Sequence, residues 1–91
     1  MEKHIHPNQK KIINRLARIE GHARSIKRMA EEGRDCPEML LQIAAVRKAL
    51  DNTAKVILKD HLEHCMLHAL EKGTQEKFLQ ELQEAIDHYI K

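Results

Sequence analysis

The sequence predicts an all-α chain of three helices, short, long and short. Three observations carry this. The 91 residues contain no Trp, one Tyr and one Phe, while 33% are charged and Ala, Leu, Ile, Glu and Lys are abundant, a composition suited to helix packing. Apolar residues recur at spacings of three and four, with no strand-like alternation. Helix breakers are sparse, and after the opening segment the chain is punctuated around Gly33 and around Gly73. The length suits one domain spanning residues 1–91.

The first helix follows the His4-Ile5-His6-Pro7-Asn8 opening. Ile12, Leu16, Ile19, Ala23 and Ile26 are spaced by four, three, four and three and define one face, with Lys11, Arg15, Arg18 and Arg28 off that stripe. Gly33 ends it. Asp35-Cys36-Pro37-Glu38 reads as a new start, with Pro37 in the first helical position and Asp35 or Cys36 capping. The second helix then runs without Gly or Pro to Lys72, far beyond the average globular helix. Its stripe is Leu40, Ile43, Ala45 or Val46, Leu50, Ala54 and Ile57, continuing through His61 and Cys65. After Gly73-Thr74, the residues Phe78, Leu79, Leu82, Ile86 and Tyr89 mark a short third amphipathic helix.

Charge is distributed unevenly. Residues 1–28 hold eight Lys/Arg against Glu2 and Glu20, residues 29–59 balance, and residues 60–91 hold three Lys against seven acids. The basic end is the part suited to a polyanion: Lys10, Lys11, Arg15 and Arg18 on the first helix, with Arg47 and Lys48 near the middle of the second. A Lys/Arg-rich helix face is more often simply solvated, but few acids balance this one. No helix-turn-helix, zinc finger or basic zipper pattern is present, so binding of DNA would rest on charge and shape. There is also no nucleophile with a matching base, no Gly-rich phosphate loop and no cofactor fingerprint, so an enzyme is not expected. No apolar run approaches the roughly 20 residues of a membrane span, and the start does not read as a signal peptide, which together predict a cytoplasmic protein.

Two cysteines are too few for a disulfide framework, and such thiols often serve metal or redox chemistry, or simply pack. His61 and Cys65, four apart, share a helix face and can grip one ion, although a half-buried Cys among surface histidines fits the local pattern equally well. With Cys36 they make two thiolates and one imidazole, a soft set that suits Cu(I) better than the four ligands of structural zinc or the nitrogen and oxygen donors favoured by Ni(II). A continuous helix separates Cys36 from His61 by about 37 Å at roughly 1.5 Å per residue, so one chain cannot close this site. Two copies of the long helix packed antiparallel about a twofold axis would bring Cys36 of one to His61 and Cys65 of the other.

Over nearly the whole chain the sequence resembles the CsoR/RcnR family of metal-responsive repressors. The segments that carry the resemblance are Asn14-Arg15-Leu16-Ala17-Arg18-Ile19-Glu20-Gly21-His22, Asp35-Cys36, Leu41-Gln42-Ile43-Ala44-Ala45-Val46 and Asp60-His61-Leu62-Glu63-His64-Cys65. The resemblance implies an antiparallel dimer of long helices that assembles into a homotetramer, a dimer of dimers, and releases operator DNA when metal binds. It implies Cys36, His61 and Cys65 as ligands in the manner of the copper(I) sensors, Glu81 as a partner of the ligand histidine, and Arg15 as a DNA-binding residue. Asp35 stands where those sensors often carry Tyr. His4 falls near the N-terminal ligand of the family's nickel and cobalt sensors, which makes Ni(II) the alternative metal. A helical metal buffer or chaperone that binds no DNA is the competing reading from another class.

Overall fold

The computed structural model describes residues 8–90. They form α1 (Gln9–Glu31), α2 (Cys36–Asp60), a π turn (His61–Cys65), α3 (Met66–Lys72) and α4 (Gln75–Ile90), with no strand among the described residues. α2, the π turn and α3 run on without interruption as one helical rod, so the expected short, long, short order holds. The expectation of uninterrupted α-helix does not: its five residues from His61 to Cys65 adopt the wider π form.

Both helix stops have one cause. Gly33 and Gly73 sit at φ +70° and +71°, a left-handed conformation that costs glycine little. At the first, Arg34 N–H bonds the Met29 carbonyl at 3.0 Å and Gly33 N–H bonds Ala30 at 3.1 Å. At the second, Thr74 N–H bonds Ala69 at 2.8 Å and Gly73 N–H bonds Leu70 at 3.2 Å. Each is the paired closure that satisfies the last carbonyls of a helix. α2 begins one residue earlier than expected: Asp35 is the extended residue before it, and Cys36 and Pro37 open its first turn. Arg34 braces that start through ion pairs to Glu38 and, at 3.6 Å, to Glu32.

α1 lies along α2. The half-buried residues on α1 include Ile12, Arg15, Ile19, His22, Ile26 and Met29, and those on α2 that are buried or half-buried include Gln42, Val46, Ala49, Thr53, Val56 and Asp60. Each set repeats at three and four, so the two helices share a seam. His22 Nε2 meets Gln42 Oε1 across it at 2.7 Å, and the Thr53 hydroxyl is satisfied by the Ala49 carbonyl at 2.8 Å. The stripe read on α2 lies mainly on another face: Leu40, Ile43, Leu50 and Ile57 are off this seam and are 60%, 50%, 45% and 40% exposed, while Val46 belongs to the seam. Small side chains let α1 approach closely, and the large ones are left on another face.

The chain has almost no interior of its own. Ala69, Thr53 and Asp60 are the fully buried residues among those described. Its accessible surface is 7570 Å², against about 5,500 Å² for a compact monomer of this mass. An apolar face this extensive marks an interaction surface.

Candidate metal centre and basic face

Cys36 is exposed in the first turn of α2, while His61 and Cys65 open and close the π turn at the far end of the same rod. Among the described residues of one chain no group of three His, Cys, Asp or Glu side chains is gathered to hold an ion. The chain places His61 and Cys65 in one turn and Cys36 at the opposite end of α2.

The π turn changes the relation between His61 and Cys65. Met66 N–H bonds the His61 carbonyl, five residues back, and this extra residue in the turn alters the angular relation that regular α-helical i, i+4 spacing would give. Such turns occur in α-helices chiefly at functional sites. The His61 ring stacks on Phe78 of α4, with centroids 4.5 Å apart and planes inclined by 23°. Glu81 follows Phe78 by three residues, so both lie on neighbouring positions of one α4 face. α4 is held again near its end, where the Tyr89 hydroxyl donates to Asp51 Oδ1 on α2 at 2.6 Å. That bond raises the Tyr89 phenol above its ordinary pKa.

Asp60 is the functional neighbour that the sequence did not reveal. Its side chain is buried immediately before His61. Asn8 Nδ2 donates to its Oδ1 at 3.3 Å, and His64 Nε2 lies 3.6 Å from the same oxygen. Burial, and then the negative charge of Asp60, raise the Cys65 thiol above its ordinary pKa. An Asp in a helix ordinarily reads as a solvated residue, and only the packing of α1 makes this one internal. His4 lies outside the described residues.

Lys10, Lys11, Arg15 and Arg18 line one open concavity of about 520 Å³ on α1, together with Asn8 and Asn14. Four cations and no acid line it, which makes it a strong local source of positive potential. A smaller concavity of about 140 Å³ adjoins it, lined by Arg15, Arg18, Ile19, His22, Ala49 and Thr53. Arg15 and Arg18 thus belong to both, while Arg47 and Lys48 are exposed elsewhere on α2. Arg47 lies between Ile43 and Leu50 on the uncovered stripe.

A family model for metal-sensitive transcriptional repressors matches residues 8–88. The chain belongs to this family. Its members are repressors and not enzymes. It is 41% identical over 80 residues to the copper-sensing transcriptional repressor CsoR of Bacillus subtilis, covering 88% of this chain and 79% of that protein. The crystal structure of the copper-sensing repressor CsoR with Cu(I) from Geobacillus thermodenitrificans superposes with a TM-score of 0.89 at 34% identity, over 100% of this chain and 95% of that one. The nickel-responsive transcriptional regulator InrS superposes with a TM-score of 0.75 at 48% identity, over 97% of this chain and 99% of that one. This family repressor therefore shares its fold with sensors of two different metals.

Proposed function

We propose that this family repressor is a Cu(I) sensor of the cytoplasm, binding operator DNA without metal and releasing it when Cu(I) joins Cys36 of one subunit to His61 and Cys65 of another. Its target genes would be those of copper resistance. One observation carries the shared site. The positions Cys36, Leu40, Ile43, Arg47, Leu50, Ala54, Ile57 and His61 form a run along α2 that repeats at four and three, and the large apolar members are uncovered. Reversing the run reproduces it: Cys36 faces His61, Leu40 faces Ile57, Ile43 faces Ala54 and Arg47 faces Leu50. A surface that matches its own reverse is what a twofold interface requires. Antiparallel pairing buries the four large side chains and puts the soft ligands at both ends. Each dimer then holds two equivalent sites, and two dimers make the proposed tetramer.

Two sulfurs and one nitrogen fit three-coordinate Cu(I), which supplies a soft cation that takes thiolates. The basic concavity, with no acid in its lining, fits phosphate contacts. No described helix is long and apolar enough to cross a membrane. The deciding experiment combines X-ray absorption on the loaded protein with anisotropy on a duplex from its own promoter. A shell of two sulfurs and one nitrogen, with release of the duplex, supports the reading; an oxygen- and nitrogen-only shell overturns it.

A nickel(II) sensor is the second reading. It is supported by the 48% identity to the nickel-responsive InrS over 97% of this chain, although a copper-sensing operon regulator is 77% identical over 62% of it. Asn8 is tied to Asp60, and the four residues back to His4 span at most about 14 Å, which keeps His4 within reach of the metal end of α2 as a fourth ligand. Copper remains preferred on the soft three-donor set. Loss of Ni(II) binding in His4→Ala, with nickel-driven release in the parent, would reverse that order.

A further inference from the structure

Asn8 occupies the N-cap position of α1, where an asparagine side chain ordinarily closes back on the first turn. Here it makes no such bond. Its amide instead crosses to α2 and donates to Asp60 at 3.3 Å. The same Asn8 lines the basic concavity with Lys10, Lys11, Asn14, Arg15 and Arg18. One side chain therefore touches both the cationic face and a buried carboxylate adjoining His61.

We infer that Asn8 is a positioning residue through which the His61–Cys65 turn sets the first turn of α1, and with it the basic concavity. The inference rests on the repressor reading proposed above. Asp60 is the last residue before the π turn, so its backbone moves with any adjustment His61 and Cys65 make on taking metal. That adjustment bears on the oxygen that Asn8 holds. Because that carboxylate is enclosed, its amide partner follows it, and Lys10 and Lys11 lie within the turn that Asn8 begins. DNA and metal then favour different placements of this turn, which is the condition for coupling between two sites. The coupling is physical and local, a single hydrogen bond between the two helices.

The test is the ratio of promoter-duplex affinities without and with metal, measured by anisotropy for the full chain, its Asn8→Ala variant and its Asn8→Gln variant, with Cu(I) and Ni(II) each supplied. Allosteric coupling typically spans about 5- to 150-fold. Asn8→Ala is expected to shrink the wild-type ratio at least fivefold while metal stoichiometry stays at the wild-type value. Asn8→Gln, which retains the amide donor, is expected to recover most of the ratio. A merely structural role would lower both affinities and leave their ratio alone. An Asn8→Ala ratio equal to that of the parent, where the parent itself releases DNA, overturns the inference and leaves the repressor reading intact. If neither metal releases the parent, the metal-release reading fails first and this coupling falls with it.

Discussion

The imidazole of His61 lies face to face with the Phe78 ring, 4.5 Å between centroids. Stacking engages the face of the imidazole, whereas its ring nitrogens point out along the ring plane. The ring is thus held in orientation before metal arrives, and preorganisation of this kind raises affinity by lowering the cost of ordering. A stacked aromatic pair contributes about 0.5–1.5 kcal/mol. Phe78→Leu is therefore expected to weaken Cu(I) binding by roughly two- to tenfold, in line with that range. Competition against a chromophoric Cu(I) chelator measures it, and unchanged affinity would show that the stack does not orient the ligand.

Antiparallel pairing of α2 predicts complementation. A Cys36→Ala chain and a Cys65→Ala chain each lose both sites in their homodimers. In the mixed dimer both lesions fall in the same site, and the other is whole. One Cu(I) per heterodimer is expected; a mixture that forms heterodimers yet binds no more than either variant alone would refute the shared site.

Arg15 stands where the two concavities meet, with its stem half-buried in the α1 and α2 seam. Arg15→Ala should weaken promoter binding and flatten the dependence of log affinity on log salt by about one unit for a lost phosphate contact. Its metal affinity should stay near that of the parent, because Cys36, His61 and Cys65 are untouched. Titrations across salt decide this, with circular dichroism guarding against the packing lost with the arginine stem.

The raised pKa of Cys65 sets a pH dependence. Burial first, and Asp60 second, favour the neutral thiol, so at neutral pH a metal must displace a proton from it. Affinity should therefore rise with pH, and this displacement contributes up to tenfold per unit below the thiol pKa. The rise should continue past the pH at which an ordinary cysteine would have levelled off. Asp60→Asn removes the charge that opposes the thiolate and should shift the Cys65 alkylation profile to lower pH. An unmoved profile would exclude Asp60 as a cause.

Tyr89 is the one tyrosine of the chain, so its ionisation can be followed directly by ultraviolet absorbance. Its donated bond to Asp51 favours the protonated phenol, and the titration midpoint should lie above that of free tyrosine. The strap between α4 and α2 is intact below that midpoint and lost as pH climbs through it. Asp51→Asn should bring the midpoint back down; a midpoint indifferent to this change would place the bond outside the solution structure.

The helices were legible because their causes are local. Gly33 and Gly73 stop the chain by backbone conformation alone, and the long interval between them contains nothing but Pro37 at a helix start. Cys36, His61 and Cys65 stood out by their chemistry as candidate ligands. The π turn was not legible, since HLEHC is as compatible with α as with π and nothing local in the sequence decides between them. The α1 seam was missed for a related reason. α2 carries several overlapping three-and-four repeats, and the largest side chains draw attention to Leu40, Ile43, Leu50 and Ile57, whereas α1 packs on the smaller Val46, Ala49, Thr53 and Val56. Hydrophobicity alone does not say which face meets its own chain and which meets another.

A chain with three fully buried side chains among its described residues ties its survival to its own abundance. The stabilisation normally held in a core must come from a neighbour, so it obeys mass action and deepens as copies accumulate. A freshly made chain that has not met another remains open to proteases, while assembled copies are sheltered. Lifetime in the cell is therefore expected to lengthen with copy number, which a pulse-chase at two expression levels measures.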